Sequence, residues 1–180
     1  MAIMSARRPI RMSSPALAPA PAFSAPEFRA ALGMFATGVT IVTARTPAGE
    51  LVGLTANSFS SVSLEPPLVL WSLSQRSLSA PAFHAAPYYA VSVLAADQRD
   101  LALRFAAAAD ERWRGTDWRP GVTGAPLIEG AVAHFECRNR SRYDEGDHIV
   151  FIGQVEHCAH RAGAAPLLFH GGRFYTEHPL

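Results

Sequence analysis

The sequence predicts a mainly β fold with flanking helices, closed as a small antiparallel barrel. Short runs rich in β-formers recur along the chain, at 39–44, 51–63, 68–74, 88–94, 131–143, 149–161, 167–169 and 173–175. Turn signals separate several of them, notably Thr46-Pro47-Ala48-Gly49-Glu50, Asp144-Glu145-Gly146-Asp147 and Gly171-Gly172. Helical periodicity is confined to a few short stretches. Short strands with few helices in one domain point to a small barrel. The 180 residues fit one domain, which can bury about two-thirds of its unfolded surface.

Taken in order, Met1 to Phe23 is rich in Ala, Pro, Ser and Arg and reads as a disordered tail. It has no continuous apolar stretch of the kind a signal peptide needs. The folded domain is expected over 24–180. Ser24 and Glu27 have capping-box spacing and open a helix. Phe28, Leu32 and Phe35 lie on one face of it, and Gly38 is expected to end it. Strands 39–44 and 51–63 form a hairpin. Gln75-Arg76-Ser77 then marks a turn, with Ser77 capping a short helix through Phe83. Asp97 is expected to cap the next helix, which carries Leu101 and Phe105 on one face. Residues 110–124, with Trp113 and Trp118, read as a loop or short helices, the tryptophans acting as packing anchors. A Glu-Gly-Asp turn joins the two long strands 131–143 and 149–161. Gly171-Gly172 joins the last short pair.

Composition excludes some classes of function. No apolar run approaches the ~18 residues needed to cross a bilayer, so no membrane partner is expected. Sixteen basic and 15 acidic residues leave a net charge of +1, which argues against a nucleic-acid surface. Cys137 and Cys158 are too few for a disulfide framework and form no C-x-x-C pair. Both are expected to be small buried residues in a reduced, cytoplasmic setting. There is no G-x-G-x-x-G after a strand and no Walker loop, so a nucleotide cofactor would not sit in a Rossmann domain. His157, Cys158 and His160 are close in sequence. His148 and His157, however, are an odd number of residues apart and would face opposite sides of a regular strand. No metal site is expected.

One stretch stands out chemically. Gly53 to Pro67 places Thr55, Asn57, Ser58, Ser60, Ser61 and Ser63 between two apolar strands. Each hydroxyl offers one donor and two lone pairs, and Asn57 adds an amide. Small side chains also leave backbone N–H groups approachable. A ligand with a phosphate and a polar planar ring would suit such a surface. A Ser/Thr-rich edge strand followed by a Pro-Pro turn would read the same way.

The order of these residues, GLTANSFSSVSLEPPLVL, resembles the flavin-binding segment of the short-chain flavin reductase family, the reductase partners of two-component flavin monooxygenases. Phe135 to Arg138 and Gly146 to Val155 are similar to that family's late strand pair with its Gly-Asp-His signature. Pro166 to Tyr175 is similar to its closing strand. The resemblance covers about Phe28 to Tyr175 and implies the FMN-binding type of antiparallel split β-barrel, usually a homodimer.

It also implies a set of site residues. Thr55, Ala56, Asn57 and Ser58 would line the isoalloxazine edge, and Ser60, Ser61 and Val62 would continue toward the ribityl chain and phosphate. Arg76 with Ser77 would hold the phosphate, through a guanidinium fork and a helix N-terminus. Ser74, Phe83 and Tyr175 complete the expected cofactor contacts. Gly146, Asp147 and His148 would lie by the nicotinamide, His148 as the catalytic residue in the sense of positioning the donor, since hydride transfer needs no general base. The implied activity is NAD(P)H:flavin oxidoreduction: NADH or NADPH reduces FMN or FAD, and reduced flavin diffuses to a separate monooxygenase. Two rivals share the fold: a non-catalytic flavin- or haem-binding barrel, and an oxidase with tightly held flavin.

Overall fold

The computed structural model of the chain describes residues 21–107 and 111–177. The expected tail lies outside the described residues up to position 20. Phe23, at its end, packs against Phe28 with ring centroids 5.4 Å apart.

Helix α1 (Ala25–Gly33) opens with the expected capping box. The Glu27 N–H donates to Ser24 Oγ, and the Ser24 N–H donates to the Glu27 carboxylate at 2.7 Å. It ends at Gly33, not Gly38. The Gly33 carbonyl there accepts from the Gly171 N–H at 2.9 Å. The chain then leaves the helix as a short strand, β1 (Thr37–Gly38), paired with residues 168–169.

The strands that follow are β2 (Thr40–Arg45), β3 (Leu51–Ala56), β4 (Ser60–Leu64), β5 (Pro67–Ser74) and β6 (Tyr88–Val93). After them come β7 (Trp118–Pro120), β8 (Pro126–Ile128), β9 (Ala133–Glu145), β10 (His148–His160), β11 (Leu167–His170) and β12 (Arg173–Thr176). Seven of them form one antiparallel sheet in the order β3-β2-β6-β9-β10-β5-β4. Its two edges, β3 and β4, are consecutive in the chain. The three residues between them, 57–59, therefore cross the seam where the sheet curls back on itself. This is the split barrel, and it corrects the single strand expected over 51–63. The strand breaks because β3 pairs with β2 while β4 pairs with β5, on the opposite edge.

Alternation fills the barrel. Val69, Trp71 and Leu73 of β5 point inward, as do Ile149 and Phe151 of β10. Trp71 and Phe151 are direct cross-strand partners and stack at 4.7 Å. Beyond them, Gly153 leaves room for Tyr89. A Cβ at position 153 would come within 2.8 Å of Cys137 Cβ. A second core joins Ile41, Leu94, Phe105, Ile128 and Leu167, with Trp113 and Trp118 packed on it as anchors.

Several local expectations change. Helix α2 (Ala80–Ala85) starts after Ser79, not Ser77, because residues 74–80 make two successive turns first, Ser77 N–H to Ser74 C=O and Ala80 N–H to Ser77 C=O. Asp97 lies inside a 3-10 turn (Ala96–Gln98) before α3 (Arg99–Ala106). The capping is done by Gln98, whose side chain accepts from the Ala95 N–H at 3.0 Å. Within the stretch 110–124, residues 111–117 and 121–124 are turns or loop as expected, but Trp118–Pro120 form β7, paired with β8. Cys137 is buried, but Cys158 is exposed, on the outer part of β10. No described helix is long and apolar enough to cross a membrane.

Candidate functional site

The site is built where three strand ends meet. β3 runs out at Ala56, β5 at Ser74, and β10 begins at His148. Ser74 and His148 are register partners. The following turn is tied back, with the Gln75 N–H donating to the Asp147 carbonyl at 3.0 Å. The β9–β10 hairpin reverses in two residues, and Gly146 takes the positive φ, +62°, that such a turn requires. A cleft of about 290 Å³ opens between these ends. Its walls are Leu54 to Ser58 on one side, Ser72 to Ser74 on the other, and His148. Residues some ninety positions apart in sequence thus share one cavity.

At the rim, His148 Nδ1 lies 2.7 Å from Asp147 Oδ1. That hydrogen bond, followed by the charge of His148 and more weakly that of Arg76, holds the Asp147 carboxyl below the usual range. An ionised carboxylate only accepts, so Nδ1 carries the proton and Nε2 is left for a ligand. Arg76 is exposed on the turn after β5, and its backbone N–H donates to Ser74 Oγ at 3.3 Å.

Within the serine-rich run, the side chains divide. Asn57 is exposed, and its amide makes no hydrogen bond among the described residues. Thr55 Oγ1 donates to the Ala102 carbonyl of α3 at 2.7 Å. Ser58 Oγ accepts from the Ser72 N–H at 2.9 Å and lies 3.2 Å from the Ser72 carbonyl, to which it donates. Both hydroxyls are engaged inside the fold.

Other expected contacts are not brought to the cleft. Ser60, Ser61 and Val62 lie on the exposed edge strand β4, outside its walls. Ser77 Oγ accepts from the Ser79 N–H, and no helix starts there to draw an anion. Phe83 is a core residue, not a cofactor contact: it is 0% exposed and packs edge-on against Trp71 at 5.0 Å. Tyr175 sits on β12 beside Phe174, and alternation turns the two to opposite faces. Phe174 borders a cavity.

That cavity is a second cleft, of about 400 Å³, which shares Thr55 and Asn57 with the first. Its other walls are apolar: Val39, the Ala102 and Ala106 side of α3, and Phe169 with Phe174 from the last hairpin. Sequence reading missed it. The signal was present in the i, i+4 alanines of α3 and the paired phenylalanines around Gly171-Gly172, but only the fold places them together.

The donor set suits a flavin. One cleft offers an amide, serine hydroxyls, an imidazole nitrogen and a nearby guanidinium. The adjoining cleft is apolar and aromatic. A flavin ring has a polar pyrimidine edge and an apolar dimethylbenzene edge. Among the described residues no group of three or more His, Cys, Asp or Glu side chains converges as metal ligands would.

Comparison with known proteins agrees. The family described as flavin reductase like domain matches residues 32–178. The chain is 50% identical to FMN reductase (NADH) SmoA of Agrobacterium fabrum over 82% of its own length and 83% of that protein's. It is 39% identical to the reductase subunit HsaB of a flavin-dependent monooxygenase from Mycobacterium tuberculosis, covering 84% of this chain and 82% of that one. Some relatives are longer, and the chain spans 47% of one from Rhizobium meliloti. Among solved structures, the Streptomyces globisporus NADH:FAD oxidoreductase SgcE6, in complex with NAD and FAD fragments, superposes with a TM-score of 0.81. It is 43% identical, with 85% of this chain and 92% of that chain covered.

Proposed function

This chain belongs to the flavin reductase like domain family, and we propose that it is an NADH-dependent flavin reductase supplying reduced flavin to a separate monooxygenase. The observation that carries the reading is the single cleft in which the Thr55–Ser58 segment meets His148. A flavin held here would supply the redox chemistry, as acceptor of hydride from a nicotinamide. The chain's residues bind and orient. Asn57 and the backbone of Ala56 to Ser58 would hold the polar part of the flavin, and the apolar cleft would take its apolar part. Arg76, on the exposed turn after β5 and outside the cleft's walls, would supply the cation for the flavin phosphate. His148, its tautomer held by Asp147, presents Nε2 to the nicotinamide nucleotide. FMN and NADH are the preferred pair, as in the name of the Agrobacterium relative.

The rival readings differ in turnover. Catalytic amounts of protein with excess free FMN should consume many equivalents of NADH per site. One equivalent or none would leave a binding module. A flavin retained through dialysis would favour an oxidase.

We also place the protein in the cytoplasm as a homodimer. Two free cysteines support the reducing compartment. Helix α1 supports the dimer, because none of its residues is buried against the described residues, and its Phe28 and Leu32, with Phe35 just beyond its end, are 51%, 58% and 76% exposed. A second copy would cover this face. Sedimentation should give twice the mass of one chain, and Leu32→Glu should give one chain's mass while the circular dichroism is kept. A wild-type monomer at micromolar concentration would remove the second copy from the account.

A further inference from the structure

Residues 57–59 have no strand partners, yet the cofactor segment must present Asn57 at a fixed place. Its two neighbouring hydroxyls supply the fixing. Thr55 Oγ1 bonds the Ala102 carbonyl, tying the segment to α3. Ser58 Oγ engages both backbone groups of Ser72, tying the other end to β5. By register Ser58 lies one rung beyond the β4–β5 ladder, where Ser60 stands opposite Leu70, and its hydroxyl supplies that next rung at Ser72. A hydroxyl has one proton, and in each case it is already donated within the protein. Asn57, between them, is the exposed side chain with its amide uncommitted.

We propose that Thr55 and Ser58 are positioning residues that clamp the flavin-binding segment across the barrel seam, and that Asn57 with the adjoining backbone makes the contacts. This rests on the flavin reductase reading. A segment already held in its bound shape needs less ordering when the ligand arrives, so the clamp acts through affinity.

The test compares Ser58→Ala with Ser58→Thr, which keeps the hydroxyl. FMN affinity is read by fluorescence titration well below the melting transition, and the Ser72 amide is followed by hydrogen exchange in flavin-free protein. Ser58→Ala should weaken FMN binding roughly tenfold, and Ser72 should exchange faster before any flavin is added. Ser58→Thr should restore both. Unchanged affinity with a lowered Tm would overturn the proposal, leaving Ser58 a purely structural residue. Weakened affinity with unchanged Ser72 exchange would also overturn it, because Ser58 would then touch the flavin directly. Should Ser58→Ala fail to fold, Thr55→Val against Thr55→Ser tests the other anchor by the same titration. Unchanged affinity there overturns the clamp as well. If the wild-type protein binds no flavin, the functional reading itself fails; if wild type binds and the variants bind equally, only the clamp fails.

Discussion

Trp71→Ala should destabilise the protein by about 3–5 kcal/mol, the range for truncating a buried large aromatic. Trp71 is 0% exposed. It stacks on Phe151 at 4.7 Å and meets Phe83 and Tyr89 edge-on at 5.0 and 5.7 Å. Three elements, β10, α2 and β6, therefore lose contact with one change. Domains of this kind are stable by only about 5–15 kcal/mol, and 3–5 kcal/mol lowers Tm by roughly 6–20 °C at this size. The denaturant midpoint should fall with an unchanged m-value. A loss under about 1 kcal/mol would mean that the barrel interior is not organised around this residue. The effect should reach the site, since Ser72, the next residue on β5, receives the Ser58 clamp.

Much of the fold was legible because its signals are local. The Ser24–Glu27 capping box and the glycine turns at Gly146 and Gly171-Gly172 each depend on residues a few positions apart, and each stands where expected. The breaks were set by distant partners. Nothing in Leu51 to Ser63 says that the chain must leave one sheet edge at Ala56 and rejoin the other at Ser60; the curl of the whole sheet decides it. Gly38 looked like a helix stop, but the contact between Gly33 and Gly171 ends the helix earlier.

The site divides along the same line. Thr55 to Ser58, Ser74 and His148 meet in one cleft because β5 pairs with β10. Phe83 was expected among the cofactor contacts, yet it fills the core under α2. The hydroxyls of Thr55 and Ser58 looked like ligand donors, but their partners are backbone groups far along the chain. Which way a small polar side chain turns is decided by what packs beside it, and a sequence does not display that.

His148→Ala carries the second large effect. The account places Nε2 of His148 toward the nicotinamide nucleotide, with Asp147 holding Nδ1. Removing the ring takes away positioning, and a donor displaced by about 1 Å loses roughly a hundredfold in rate. In the proposed reading the flavin is held elsewhere, by Asn57 with the adjoining backbone and by Arg76. Stopped-flow reduction of bound FMN by NADH reads the two separately. The account predicts that His148→Ala raises the NADH concentration for half-maximal reduction, or slows reduction itself, by roughly ten- to a hundredfold, with FMN affinity close to wild type. A variant that loses FMN while its reduction rate and NADH dependence stay normal would contradict it and move His148 to the flavin site or the fold.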